Sequence, residues 1–245
     1  MTQNRSGGGR GSDGGDRIRR QRRRQRTPAH SGERLVKTHR KASSREWLQR
    51  QLNDPYVAES RQRGYRSRAA MKLLQMDDKH GLLKPGYRVV DLGAAPGGWC
   101  QVARERVGDT GRVVGLDLLP MDPLPDVTLI EGDINEPETV ARLRETLGGG
   151  ADVVLSDMAP NATGQRPIDR LRILAVVEAA LDLAEAVLTP GGIFLAKTLQ
   201  LGGSEELLDR LRVAFERVHF VKPDASRAES AETYVLATGF KGTAT

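Results

Sequence analysis

Val89–Trp99 reads Val-Val-Asp-Leu-Gly-Ala-Ala-Pro-Gly-Gly-Trp, and this stretch decides the fold. Val89 and Val90 suit a buried parallel strand, and Asp91 falls where that strand ends. Gly93, Gly97 and Gly98 let the backbone turn tightly and let a ligand approach it closely. The following residues, through Gln101 to about Arg106, continue as a helix. Strand, glycine turn and helix N-terminus together form a nucleotide cradle.

The glycine spacing narrows what the cradle holds. A dinucleotide loop reads G-x-G-x-x-G. Here Gly93-x-x-x-Gly97-Gly98 has no third glycine in register, which speaks against a dehydrogenase. A diphosphate wants helix N–H groups aimed at negative charge, whereas a carboxylate such as Asp91 suits a cation. S-adenosylmethionine carries a sulfonium, so the Gly93–Trp99 loop, with Gly97 and Trp99, and Asp91 are expected around that methyl donor. Val113–Asp117 is a second apolar run ending in an acid, and Asp117 lies twenty residues after Gly97. That is where a strand-end carboxylate takes ribose hydroxyls. Leu129–Asp133 is a third such run, placing Asp133 to meet an adenine edge, and Val153–Pro160 is a fourth, carrying Asp157. Singly, each acid also suits a helix cap. As a set they converge on the carboxyl edge of a sheet.

The 245 residues suffice for one sizeable domain with its own core. Cys100 is the single cysteine, so an intramolecular disulfide framework is excluded, and Cys100 suits a small packing residue better than a nucleophile. No apolar run approaches the ~20 residues of a membrane span, and the basic N-terminus lacks the apolar stretch of a secretory signal. A cytoplasmic monomer is expected. The net charge of +6 is uneven. Residues 1–26 hold nine arginines and two aspartates, and residues 34–72 hold eleven Lys/Arg against three acids. Residues 73–245 hold eighteen Lys/Arg against twenty-six acids. A basic N-terminal quarter on an acidic body favours a polyanion partner. Aromatics are only 4%, so backbone contacts should outweigh stacking on bases.

Residues 1–30 are rich in Gly and Arg and almost free of apolar side chains. They are expected to form a disordered arm that adds affinity for RNA, with one folded, methyl-donor-binding domain over 31–245. Ser44–Leu52 and Ser67–His80 read as helices, the second stopped by Gly81. Strands are expected near 87–91, 112–117, 127–131, 152–157 and 192–198. Leu171–Leu188 is the clearest helix, ended by Thr189-Pro190-Gly191-Gly192. Ser204 caps another, whose first turn holds Glu205 and Glu206. Arg217–Lys222 and Glu232–Gly239 read as a closing antiparallel pair. The fold class is α/β: a Rossmann-like, mostly parallel sheet with a C-terminal antiparallel strand.

Five blocks carry a family resemblance: YRSRAAMKL (65–73), VDLGAAPGGW (90–99), DLLPMD (117–122), SDMAPN (156–161) and KPDASR (222–227). Together they resemble the FtsJ/RrmJ (RlmE) family of methyltransferases that modify a uridine 2′-hydroxyl of 23S rRNA. The resemblance runs in order from about Lys37 to Gly239. It implies the S-adenosylmethionine-dependent methyltransferase fold and a substrate in the large ribosomal subunit or its precursor. It also implies a Lys72–Asp157–Lys197–Glu232 tetrad at the reacting hydroxyl, with Asp157 serving the donor too. The family often has a large aromatic after Ala69, where this chain has Ala70-Met71.

Each tetrad residue also has a bland role: Lys72 as a surface lysine, Asp157 as a turn cap, Glu232 as a cross-strand partner. Lys197 is harder to explain that way, because it follows the apolar run Ile193-Phe194-Leu195-Ala196, and a lysine ending a buried strand needs a reason. A ribose hydroxyl must align with the S–CH₃ bond and lose its proton as the new bond forms. The sequence leaves open whether Lys197 takes that proton or positions the hydroxyl. No metal is implied, since the leaving group is a neutral thioether. A methyltransferase acting on tRNA and a non-catalytic ribosome-assembly factor are the alternatives. The assembly factor would keep the basic arm but not all four tetrad residues.

Overall fold

The computed structural model describes residues 54–199, 204–227 and 230–242. The 1–30 arm and the helix expected over Ser44–Leu52 lie outside the described residues.

Asp54 opens helix α1 (Pro55–Gln62), its carboxylate accepting the Tyr56 N–H at 3.1 Å, with Pro55 preset for the first turn. This helix was not expected from the sequence: α1 is polar and buries only Ser60, so no apolar period announces it. Helix α2 (Ala69–His80) ends as expected, where Gly81 adopts a left-handed φ of 64°. No Cβ opposes that conformation in glycine. Strand β1 (Arg88–Leu92), the glycine turn and α3 (Gly98–Val107) follow the expected order. Next come β2 (Arg112–Asp117), β3 (Val127–Glu131), α4 (Pro137–Leu147) and β4 (Ala151–Ser156). The chain closes with α5 (Arg166–Val187), β5 (Leu188–Leu199), α6 (Glu205–Ala214), β6 (Phe215–Val221) and β7 (Glu232–Phe240).

Two boundaries differ from expectation. Helix α5 starts at Arg166 rather than Leu171. The Asp169 carboxylate accepts the Thr163 N–H at 2.6 Å, the Thr163 hydroxyl at 2.7 Å and the Gly164 N–H at 3.2 Å. These bonds fold the polar loop onto the first turn and extend the helix beyond its apolar stripe. At its other end α5 passes directly into β5, so Thr189–Gly192 begin a strand instead of forming a separate stop. Ser204 caps α6 as expected, its hydroxyl accepting the Leu207 N–H at 3.2 Å.

The described strands form one seven-stranded sheet in the order β3-β2-β1-β4-β5-β7-β6. Only β7 runs antiparallel, to both β5 and β6. Helices α4, α5 and α6 bury Leu143, Leu181 and Leu211 on one face, against Val90, Val154 and Phe194. Helices α2 and α3 bury Leu73, Trp99 and Val102 on the other, against Val89, Val153 and Leu195. Alternate residues of each strand thus feed two separate cores, which is why the strands read as continuous apolar runs. From β1 the chain winds out to β3 and then returns to β4 on β1's other side. That reversal opens a crevice at the carboxyl ends of β1 and β4.

Candidate active site

The crevice is a cavity of about 700 Å³, within the usual range for small-molecule sites. Gly93, Asp117, Asp133 and Asp157 line it, with Ala175, Val176 and Ala179 of α5. Gly93 has a φ of +71°, and a Cβ there would meet Met158 Cγ at 2.4 Å. Asp117 braces the glycine loop: Oδ2 accepts the Ala95 N–H and Oδ1 the Leu119 N–H, each at 2.9 Å. Asp133 Oδ1 accepts both N–H groups offered by Asn135. Its second oxygen has no hydrogen-bond partner among the described residues.

Asp91, Gly97 and Trp99 are not on the cavity wall. Trp99 is buried, donates from Nε1 to the Ala69 carbonyl at 2.7 Å, and so ties α3 to α2. Gly97 is left-handed, and a Cβ would strike Leu124 at 2.7 Å. Asp91 is 1% exposed and accepts a hydrogen bond from the Cys100 thiol at 3.2 Å. Burial pushes its carboxyl up to about 7. The Cys100 thiol pulls the other way, and Asp157 and Asp117 push it further up. A carboxyl raised above its ordinary 3.8 stabilises the fold at low pH, and that contribution is lost as pH rises through about 7. Asp91→Asn is therefore expected to flatten the pH dependence of thermal stability between about pH 4 and 7. A melting profile superimposable on wild type would mean that Asp91 does not titrate there.

At one end of the cavity, four distant segments bring Lys72, Asp157, Lys197 and Glu232 together. Lys197 donates to Asp157 twice, to the carbonyl at 2.5 Å and to Oδ1 at 2.9 Å. Lys72 pairs with Glu232 Oε1 at 2.7 Å and lies 3.9 Å from Asp157 Oδ1. All four side chains are between 8% and 19% exposed, so the charges are largely desolvated yet open to a ligand. Burial opposes ionisation of Glu232, but Lys72, the Ser226 hydroxyl and Lys197 outweigh it and hold the carboxyl below the usual glutamate value.

Tyr234 is the residue that sequence reasoning missed. It is fully buried, its hydroxyl donates to Asp157 Oδ1 at 2.7 Å, and Lys72 Nζ donates to that hydroxyl at 3.2 Å. Burial first, then the carboxylates of Asp157 and Glu232, push the phenol well above its ordinary value, so it stays protonated as a donor. The available signal was spacing: Tyr234 follows Glu232 by two on one strand and so shares its face, and it pairs in register with Lys197.

Two motif blocks prove to be braces. The Arg66 guanidinium donates to the Pro96, Asp122 and Pro123 carbonyls, pinning the glycine loop to the loop after β2. Arg68 donates to the Ala225 carbonyl at 2.6 Å, Gln75 accepts the Ala225 N–H at 2.7 Å, and Ser226 donates to Glu232 at 2.8 Å. The KPDASR loop is thereby clamped onto α2 beside Lys72. Of the basic 34–72 segment, then, Arg63, Arg66, Arg68 and Lys72 are already engaged within the fold.

Known proteins resemble this chain over most of its length. A "Ribosomal RNA large subunit methyltransferase E" of Paramagnetospirillum magneticum is 57% identical over 208 residues, covering 83% of this chain and 85% of the relative. One of the same name from Xanthobacter autotrophicus is 55% identical over 208 residues, covering 84% and 82%. The crystal structure of a Plasmodium falciparum protein described as a ribosomal RNA methyltransferase superposes with a TM-score of 0.66 at 31% identity, over 73% of this chain and all of that one. Residues 65–240, from the tyrosine that opens the first motif block to the last residue of β7, match the FtsJ-like methyltransferase family, to which this chain belongs.

Proposed function

We propose that this protein transfers a methyl group from S-adenosylmethionine to the 2′-hydroxyl of a uridine in 23S rRNA, acting as a cytoplasmic monomer on the large ribosomal subunit or its precursor. The observation that carries this reading is the partly desolvated Lys72–Asp157–Lys197–Glu232 cluster at one end of an acid-lined crevice. S-adenosylmethionine supplies an electrophilic methyl on a sulfonium and leaves as a neutral thioether. The acids fit such a ligand, since Asp117 and Asp133 offer lone pairs to hydroxyl and amine donors. Asp157 adds negative charge next to Met158 and Gly93 at the cavity wall. Lys197, held by two bonds to Asp157, sits where it can meet the ribose hydroxyl and take its proton or fix its direction. Lys72 and Glu232 complete the hydrogen-bonding frame, and Tyr234 locks Asp157 from behind.

Mass-spectrometric mapping of ribose methylation tests the reading. Deleting the gene should remove one ribose methyl group from 23S RNA, restored by the wild-type gene and not by a Lys197→Ala copy. An unchanged methylation map would overturn it.

The structure sharpens one expectation about the donor. Asp117→Ala removes two backbone braces along with its lone pairs, so S-adenosylmethionine affinity should fall by at least the ~1–3 kcal/mol of a lost charged partner. Unchanged affinity by calorimetry would take Asp117 out of the donor site.

The N-terminal arm has a separate role in this reading. Deleting residues 1–30 should weaken RNA binding and flatten log K against log salt by about 0.7–0.9 per lost phosphate contact. The modified nucleotide should stay the same, because phosphate contacts carry no sequence information. An unaltered salt slope would reduce the arm to a solubility tail, and a new methylation position would give it the register.

A further inference from the structure

Helix α5 separates two cavities. On one side Ala175, Val176 and Ala179 face the donor crevice. On the other, Arg170, Leu171, Ile173 and Leu174 line a smaller cavity of about 180 Å³, closed by Thr198 and Leu199 of β5. Thr198 directly follows Lys197, so this second cavity abuts the reaction centre on the other face of the sheet edge. Its walls are mainly aliphatic, and its volume suits one flat heterocycle rather than a larger ligand.

The surface around it is both basic and apolar. Several arginines elsewhere on the body are paired with carboxylates: Arg106 with Asp77 and Asp78, Arg210 with Asp182 and Glu185, Arg212 with Asp209. Arg166 and Arg170 lie four apart on one helical stripe, and neither has a carboxylate partner among the described residues. Beside them Leu171 is 67% exposed and Ile168 40%. Arg170 and Leu171 are on the wall of the slot itself, and Arg166 lies one helical turn before Arg170.

We propose that this slot is a subsite for the RNA nucleotide next to the methylated ribose, with the base in the cavity and its phosphate on Arg166 and Arg170. The inference rests on the reading of the chain as an RNA methyltransferase. Bases of single-stranded RNA splay out and stack on planar or apolar side chains, guanidinium groups included. Arginine recognises phosphate through two parallel N–H donors. In a chain so poor in aromatics, an arginine beside an aliphatic slot offers a surface on which a base can stack. Anchoring a neighbouring nucleotide would also present the target ribose to Lys197 at a fixed distance.

The test uses the full chain, a short fluorescein-labelled single-stranded RNA for binding, and large subunits from a strain lacking the gene for turnover. The double variant Arg166→Ala/Arg170→Ala should weaken RNA binding by about tenfold or more. Its salt slope should flatten by about 0.7 per lost contact, and the loss in turnover should fall on KM rather than kcat. Donor affinity, unchanged, reports an intact fold. Leu171→Glu should weaken RNA as well, by placing a carboxylate beside the slot. An abasic nucleotide next to the target should weaken wild type but add nothing to the Leu171→Glu defect. RNA affinity and salt slope like wild type in the double arginine variant would overturn the subsite. Additive abasic and Leu171→Glu effects would overturn the base slot. Wild-type protein that binds the RNA normally but never methylates subunits would instead defeat the enzymatic reading.

Discussion

Replacing Lys197 with alanine is expected to slow single-turnover methyl transfer by about 10²–10⁴-fold, the usual contribution of a positioned proton acceptor. Affinity for S-adenosylmethionine should be nearly intact, since Lys197 is not among the residues lining the donor crevice. The geometry explains why the effect should be so selective. Lys197 projects from β5 onto the carbonyl and carboxylate of Asp157, so alanine empties the place where the ribose hydroxyl would be held and leaves the cavity walls standing. Lys197→Arg should not restore the rate. A guanidinium keeps the charge, but it cannot surrender a proton and its planar fork does not fit a site built for an ammonium. Single-turnover rates within about tenfold of wild type would be too small a loss for a proton acceptor and would remove Lys197 from the chemistry.

Asp157→Ala should be nearly as severe, and broader. Two donors converge on one oxygen of this carboxylate, Lys197 at 2.9 Å and the Tyr234 hydroxyl at 2.7 Å, and the Lys72 ammonium faces the same oxygen at 3.9 Å. Without it two ammonium groups face each other with only Glu232 between them, and a buried phenol loses its shorter acceptor, keeping only Glu232 at 3.4 Å. Removing one partner of a buried ion pair costs about 3–5 kcal/mol. Some of that loss should appear as a lower melting temperature. Turnover should fall by about 10²-fold or more, since both the positioning of Lys197 and the local charge are lost. Donor affinity should fall too, because Asp157 is on the crevice wall. Asp157→Asn separates shape from charge: it should recover stability better than activity. A variant that lost stability and kept its rate would make Asp157 a structural brace only.

The fold was legible wherever the deciding interactions are local. Val89–Trp99 sets strand, turn and helix because alternation, glycine φ and helix start lie within eleven residues. Gly81 and Ser204 act where a helix ends or begins, through bonds three or four residues long. The acids at 117, 133 and 157 were legible as cavity residues because parallel strands carry their carboxyl ends to one edge. The tetrad came from the resemblance; no local pattern links residues 72 and 232.

What only the tertiary structure decided are long-range contacts and burial. Tyr234 meets Lys72 across 162 positions. Nothing in its neighbourhood but a two-residue spacing hinted that it would join the charged cluster. Asp91 read as a carboxylate for a cation, yet strand packing closes over it and leaves a thiol as its hydrogen-bond partner. Arg66 and Arg68 counted toward a basic surface, yet their guanidinium groups brace carbonyls and Asp54, while Arg166 and Arg170 of the acidic body have no carboxylate partner among the described residues. Charge counts are sums over sequence, but a charge attracts a partner only where folding leaves it unneutralised. Periodicity, glycine turns and capping determined the elements and their order. Desolvation and pairing, which depend on what lies opposite in space, decided which side chains are left to do chemistry.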